Sequence, residues 1–260
     1  MHAAHALRLQ IEHALERRFP AALSPSPRPI RDTAATGIDA VDDLLRGGLP
    51  IGAISEVTGP ACSGRTTLAL AFLAGRTRQG SVCAWVDVDD SLDPESAAAN
   101  GVLLPQLLWV RCRNDAAHQP SSHRPCARLD QAVRATDLLL QAGGFSAIVL
   151  DMGNTASQFT RRIPLATWFR FRQAARRTQC SLIILAQIAS AQSSADVVLD
   201  CARLHSRSAS AGETVLDGFA YEVRRERGAA AKSAWSVIGQ HKPPASTWST
   251  PAAWTIERRA

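Results

Sequence analysis

Ala53-Ile54-Ser55-Glu56-Val57-Thr58-Gly59-Pro60-Ala61-Cys62-Ser63-Gly64-Arg65-Thr66-Thr67 runs from an apolar strand through a glycine-bounded loop into the start of a helix. Residues Gly59, Pro60, Ala61, Cys62, Ser63, Gly64, Arg65, Thr66 and Thr67 fit the phosphate-loop pattern G-x-x-x-x-G-K-[ST] at every fixed position except the lysine, which is Arg65. Glycines let a backbone wrap phosphates, successive amides point inward, and the helix N-terminus adds partial positive charge. Thr66 is placed to ligate Mg2+. Arg65 keeps the positive charge, but its planar guanidinium cannot take an ammonium's place between phosphates without rearrangement. The pattern therefore predicts binding of ATP with impaired hydrolysis; the plainer alternative is a glycine-rich turn with no ligand.

Outward from the loop, strands and helices alternate. A short helix over Ile38 to Leu45 and a Gly47-Gly48 stop precede the loop; a helix over Thr66 to Arg76 and a strand over Val82 to Val86 follow it. A polar segment to about residue 128 leads to a helix over Leu129 to Gln141, a strand over Ala147 to Leu150, a helix over Leu165 to Arg177 and a strand over Leu182 to Ala186. Strands joined by helical crossovers predict an α/β fold with a mostly parallel central sheet flanked by helices, and ligands at the strands' carboxyl ends. Further strands are expected over Val197 to Leu204 and Ala220 to Arg225. Residues 6–19 read as an amphipathic helix, with Leu7, Ile11, Leu15 and Phe19 on one face, tethered by a proline-rich stretch through residue 30. That helix either folds back on its own domain or docks on a neighbouring subunit. The domain organisation is thus a tethered helix and linker (1–30), a nucleotide-binding core (31–242) and an irregular tail (243–260).

Composition narrows the function classes. At 46% hydrophobic content, 260 residues suffice for one sizeable core, and the net charge of +6 suits a polyanionic partner. There is no run of about 18 apolar residues, so neither export nor membrane insertion is expected and the reading is cytoplasmic. Six scattered cysteines without a C-x-x-C pair read as reduced thiols. Cys112, His118, His123 and Cys126 cluster, but at a spacing that matches no familiar zinc site.

Several other residues carry chemistry. Asp151 follows an apolar strand, where a carboxylate would hold the metal-bound water, making Thr66 and Asp151 the expected metal pair. Asp87, Asp89, Asp90 and Asp93 form an acidic cluster that either activates water or simply solvates a turn. Arg161, Arg162, Arg170, Arg172, Arg176 and Arg177 crowd one stretch, and Arg224, Arg225 and Arg227 another; both can neutralise nucleic-acid phosphates or face solvent. Trp168 and Phe169 beside the first cluster either stack on bases or belong to the core.

Together these motifs resemble the bacterial RecA recombinases and their shortened relatives from about residue 6 to 240. The lead-in from Thr36 to Gly52, the loop at Gly59 to Thr67, and Ala84 to Pro94 each resemble a family segment. The resemblance places Asp89 where the family has its catalytic glutamate. The strand ending at Asp151 resembles Walker B, and Leu182 to Ile188 resembles the strand whose glutamine senses the γ-phosphate, giving Gln187 that role. Val223 to Arg227 is similar to the family's K-x-K pair, so Arg225 and Arg227 are expected to reach a neighbour's nucleotide. The N-terminal helix resembles the polymerisation helix, implying a homo-oligomer. The segments after Asp151 and after Gln187 are shorter than the family's DNA-binding loops, and its large C-terminal domain has no counterpart in these residues.

Those departures are similar to the ImuA-type accessory proteins of damage-induced (SOS) translesion repair. The resemblance implies a nucleotide-binding accessory protein with weak or absent ATP hydrolysis, partnered by single-stranded DNA, a recombinase or a translesion polymerase. Two other readings stay open: a DNA-dependent ATPase forming filaments on single strands, and an interaction module with a vestigial loop.

Overall fold

The structure, a computed structural model, describes residues 32–112, 124–208, 216–227 and 245–251. The expected N-terminal helix and linker, His118 and His123 lie outside the described residues. The elements in order are β1 (Thr33–Ala34), α1 (Asp39–Leu45), β2 (Leu49–Pro50), β3 (Ile54–Thr58), α2 (Arg65–Arg78), β4 (Cys83–Asp87), α3 (Pro94–Ala99), β5 (Leu107–Arg111), α4 (Arg124–Ala142), β6 (Ala147–Asp151), α5 (Ser157–Thr160), α6 (Leu165–Thr178), β7 (Ser181–Ala186), β8 (Val197–Ser208), β9 (Leu216–Arg227) and β10 (Ala245–Pro251). β1 and β2 make a small antiparallel pair; the others form one sheet in the order β10-β9-β8-β3-β7-β6-β4-β5.

From β8 to β5 the neighbours are parallel, and β9 and β10 add antiparallel to the far side. β3, β4, β6 and β7 are buried along their whole length; β4, β6 and β7 accordingly read as nearly continuous apolar runs, whereas β3 buries the polar side chains of Ser55, Glu56 and Thr58. Alternation sends Val57, Trp85, Val149 and Ile183 to the face covered by Leu68, Phe72 and Leu73 of α2. Ile54, Val86, Ile148 and Ile184 go to the other face, against Leu140 of α4 and Trp168 and Phe171 of α6. This is the α/β architecture that the strand and helix alternation predicts. The register sets Thr58 beside Ala186 and Asp87 beside Asp151, so the loop, Gln187 and the acidic residues emerge along one edge.

Two parts differ from expectation. The segment before residue 128, read as polar, contains α3 and β5; β5 is an edge strand, only partly buried although its sequence Leu107-Leu-Trp-Val-Arg111 is a short apolar run that the reading passed over. The tail, expected to be irregular from residue 243, carries β10, whose backbone ladder to β9 imposes an extended form on a Ser- and Thr-rich sequence.

Gly59, where β3 turns into the loop, is the tightest junction between fold and site. Its φ is +138°, and a Cβ there would lie 2.2 Å from the carbonyl oxygen of Cys201 in β8. Gly59→Ala should therefore cost at least about 2 kcal/mol of stability through left-handed strain and separation of β3 from β8. Urea unfolding followed by circular dichroism measures it, and an unchanged midpoint would contradict this account.

Candidate functional site

The loop from Gly59 to Gly64 crosses the top of β3 and opens α2 at Arg65, as the sequence predicts. Gly64 is the N-cap at φ +90°, so no capping side chain covers the first turn. A Cβ on Gly64 would lie 2.6 Å from Trp248 and 2.9 Å from Tyr221. These two rings, a cross-strand pair of β9 and β10, meet edge to face at 4.6 Å. The Tyr221 hydroxyl also interacts with the side chains of Thr67 and Thr250. An aromatic brace on the loop was not legible in the sequence, because Trp248 stands in the stretch read as irregular.

Arg65 is only 6% exposed. Its Nη1 donates to the carbonyl oxygen of Ala186 at 2.7 Å and its Nη2 to that of Gly153 at 3.2 Å, so the guanidinium bridges the ends of β7 and β6. Burial pulls its pKa below the ordinary arginine value, and the nearby Asp151 opposes that shift. Thr66, by contrast, is exposed.

Asp151 ends β6 with its Oδ1 accepting from the Gly153 amide at 2.9 Å. Burial raises its pKa to about 6; the Gly153 hydrogen bond and Arg65 pull it down, while Asp87 and Asp89 push it up. The acidic cluster divides by task. Asp87 is fully buried, accepting from the Leu92 amide at 2.8 Å and Trp109 Nε1 at 3.3 Å, and shapes the turn after β4. Asp93 caps α3, accepting from the Ser96 amide at 3.1 Å. Asp90 pairs with Arg111. Asp89 reaches the segment that follows Asp151: it accepts from Thr155 Oγ1 at 3.0 Å and pairs with Arg128 at 3.4 Å. Arg128 and Thr155 are partners the sequence reading missed.

Gln187 is exposed just past β7, and its carbonyl oxygen accepts from the Gly59 amide at 3.3 Å. Glu56, also missed, is fully buried in β3; its Oε1 accepts from the Ser190 and Ala191 amides at 2.8 and 2.9 Å, pinning the segment after Gln187 to the strand that carries the loop. A cleft of about 550 Å³ opens there, lined by Glu56, Thr58, Gln187, Gln192, Asp200 and Arg227 among others. Within the chain Arg225 and Arg227 have different partners: a register shift in β8/β9 separates them, Arg225 donating to the Leu44 carbonyl at 2.9 Å and Arg227 to that of Gln192.

Of the first arginine cluster, Arg170 pairs with Asp137 and Arg172 with Asp196, whereas Arg161, Arg162, Arg176 and Arg177 are exposed. Trp168 is core and Phe169 is 41% exposed. Among the described residues, no group of three His, Cys, Asp or Glu side chains is set to hold a metal ion, and no helix is long and apolar enough to cross a membrane.

Comparison with known proteins fits this geometry. The family model of the RecA N-terminal domain matches residues 10–157. The chain is 31% identical over 172 residues to Protein RecA of Ruegeria pomeroyi, covering 60% of this chain and 46% of that one. It is 39% identical over 127 residues to Protein RecA of Salinispora tropica, covering 48% and 32%. The chain thus spans less than half the length of these relatives.

The raised pKa of Asp151 has a signed consequence. A carboxyl that holds its proton more tightly folded than unfolded contributes stability in full below about pH 4, and that contribution is lost as pH rises through about 6. Unfolding free energy should fall across that window by up to about 3 kcal/mol from this residue, and Asp151→Asn should flatten the slope. Denaturant titrations at stepped pH test this; an identical slope in the variant would assign it elsewhere.

Proposed function

Because the chain belongs to the RecA N-terminal domain family, we propose that it is a nucleotide-binding, RecA-like accessory protein of DNA repair with weak or absent ATP hydrolysis, serving damage-induced translesion synthesis. The observation that carries this reading is the capture of Arg65 by the Ala186 and Gly153 carbonyl oxygens. Hydrolysis at such a loop needs a cation that follows charge onto the γ-phosphate. A guanidinium already bound to two strand ends is a poor mobile clamp, yet its charge still favours phosphate. Asp89, one methylene shorter than glutamate and paired with Arg128, is likewise a weakened base for orienting water.

The accessory role follows from what remains once turnover is slow. The loop, Asp151 and Gln187 form a nucleotide cradle, in which ATP biases conformation rather than driving a cycle. Arg161, Arg162, Arg176 and Arg177 offer an exposed basic surface for single-stranded DNA, and residues 6–19, whose sequence reads as an amphipathic helix, are the segment assigned to docking on a recombinase, a translesion polymerase or a second copy. Arg225 and Arg227 reach a neighbour's nucleotide in this reading only after leaving the Leu44 and Gln192 carbonyls.

Phosphate release from ATP, with and without single-stranded DNA, should stay within about twofold of an Arg65→Ala control. Combining Arg65→Lys with Asp89→Glu should raise it at least about tenfold, since one well-placed transition-state donor is worth that or more. DNA-stimulated release by the unaltered chain, well above the control, would instead make it an active filament-forming ATPase.

A further inference from the structure

We propose that the Arg65 guanidinium is the resident cation of this site and that phosphates bind here without a divalent metal. The inference rests on the nucleotide-binding reading above and concerns how the same site is charged.

The expected metal pair is Thr66 and Asp151; Thr66 is exposed, whereas Asp151 is buried with the charge of Arg65 beside it. Arg65 Nη2 donates to the Gly153 carbonyl oxygen at 3.2 Å, and Nη1 to Ala186 at 2.7 Å, so the guanidinium spans the ends of two adjacent strands. A Cβ on Gly153 would lie 3.0 Å from Asp151 Oδ1, 3.2 Å from Arg65 Nη2 and 3.4 Å from Arg65 Cζ. Carboxylate and guanidinium thus flank one backbone position, where an added methyl group would be tight. Mg2+ demands octahedral oxygen ligands at about 2.1 Å and keeps several waters, whereas the positive charge facing Asp151 is already supplied here by the guanidinium.

Among the described residues, the two carboxylates whose charge acts on Asp151 already have partners of their own. Asp87 is engaged by the Leu92 amide, Ser91 and Trp109, and Asp89 by Arg128 and Thr155. The residues therefore do not fit the metal, although they fit its charge. An arginine is the side chain suited to the substitution: it stays protonated when buried, carries five N–H donors of which two are bound to carbonyls here, and presents them as a fork that matches phosphate oxygens. The amides at the start of α2, left uncapped by Gly64, supply the other half of the positive field. A lysine at 65 would offer a single compact charge and leave the gap beside Gly153 open.

The test is the melting temperature of the full chain with saturating ATP or ADP, in EDTA and in excess Mg2+. The expected result is a rise of about 5 to 10 °C that is the same in both conditions, as for a site held near a hundred times its dissociation constant. Arg65→Lys should make the rise depend on Mg2+. A rise only in Mg2+ for the unaltered chain would overturn the proposal while leaving nucleotide binding in place. No rise in either condition would overturn nucleotide binding itself and this inference with it.

Discussion

A buried positive charge holds the top of this sheet together. Arg65 leaves the first turn of α2 and ties the end of β7 to the segment after β6 through two backbone carbonyls. A guanidinium at 6% exposure costs several kcal/mol in desolvation unless it is bonded and faced by a counter-charge. Both conditions are met, by the carbonyl oxygens of Ala186 and Gly153 and by Asp151 close by. The position of the loop, the depth of Asp151 and the path of the chain through Gly153 all follow from accommodating that one group. It is also what separates this site from one built around a lysine, because the charge is anchored to the protein.

Around this anchor the two sides of the sheet contribute differently. On one side, Asp87 and Asp89 fix the turns after β4 and β6 through Leu92, Trp109, Thr155 and Arg128. On the other, Glu56 fastens Ser190 and Ala191 to the strand beneath the loop, and the Gly59 amide bonds the Gln187 carbonyl. Any change in the segment following Gln187 is therefore felt at the phosphate loop through β3. The antiparallel strands β9 and β10 add the third support, pressing Tyr221 and Trp248 onto Gly64, where only a glycine leaves room. The loop is thereby held from below by β3, from within by Arg65 and from outside by two aromatic rings.

The sequence made the parallel core legible because its strands are buried on both faces and so appear as unbroken apolar runs such as Ala147 to Leu150 and Leu182 to Ala186. It hid β10, whose place at the edge of the sheet relaxes the demand for apolar residues and leaves pairing to the backbone, while β5, at the other edge, is a short apolar run set within a segment read as polar. At the site, the phosphate loop, Asp151 and Gln187 could be located by pattern. Arg128, Thr155, Glu56, Tyr221 and Trp248 could not, since each meets its partner across tens of residues of chain. The arginine pair showed the limit of spacing: Arg225 and Arg227 are two apart in sequence, but the register shift beside Glu226 sends one to α1 and the other to the segment after β7.

By itself the sequence determined the alternation of the core strands β3, β4, β6 and β7 with α2, α4 and α6, the loop that begins α2, and the exchange of lysine for arginine at position 65, because each is a local property of residue type and spacing. Only the tertiary structure decided what that arginine does. Its partners Ala186 and Gly153 lie 121 and 88 residues away, and they come within reach because β3, β7 and β6 are neighbours in register. Charge is written in the residue, but whether it is free to meet a ligand depends on which backbone oxygens the sheet brings beside it.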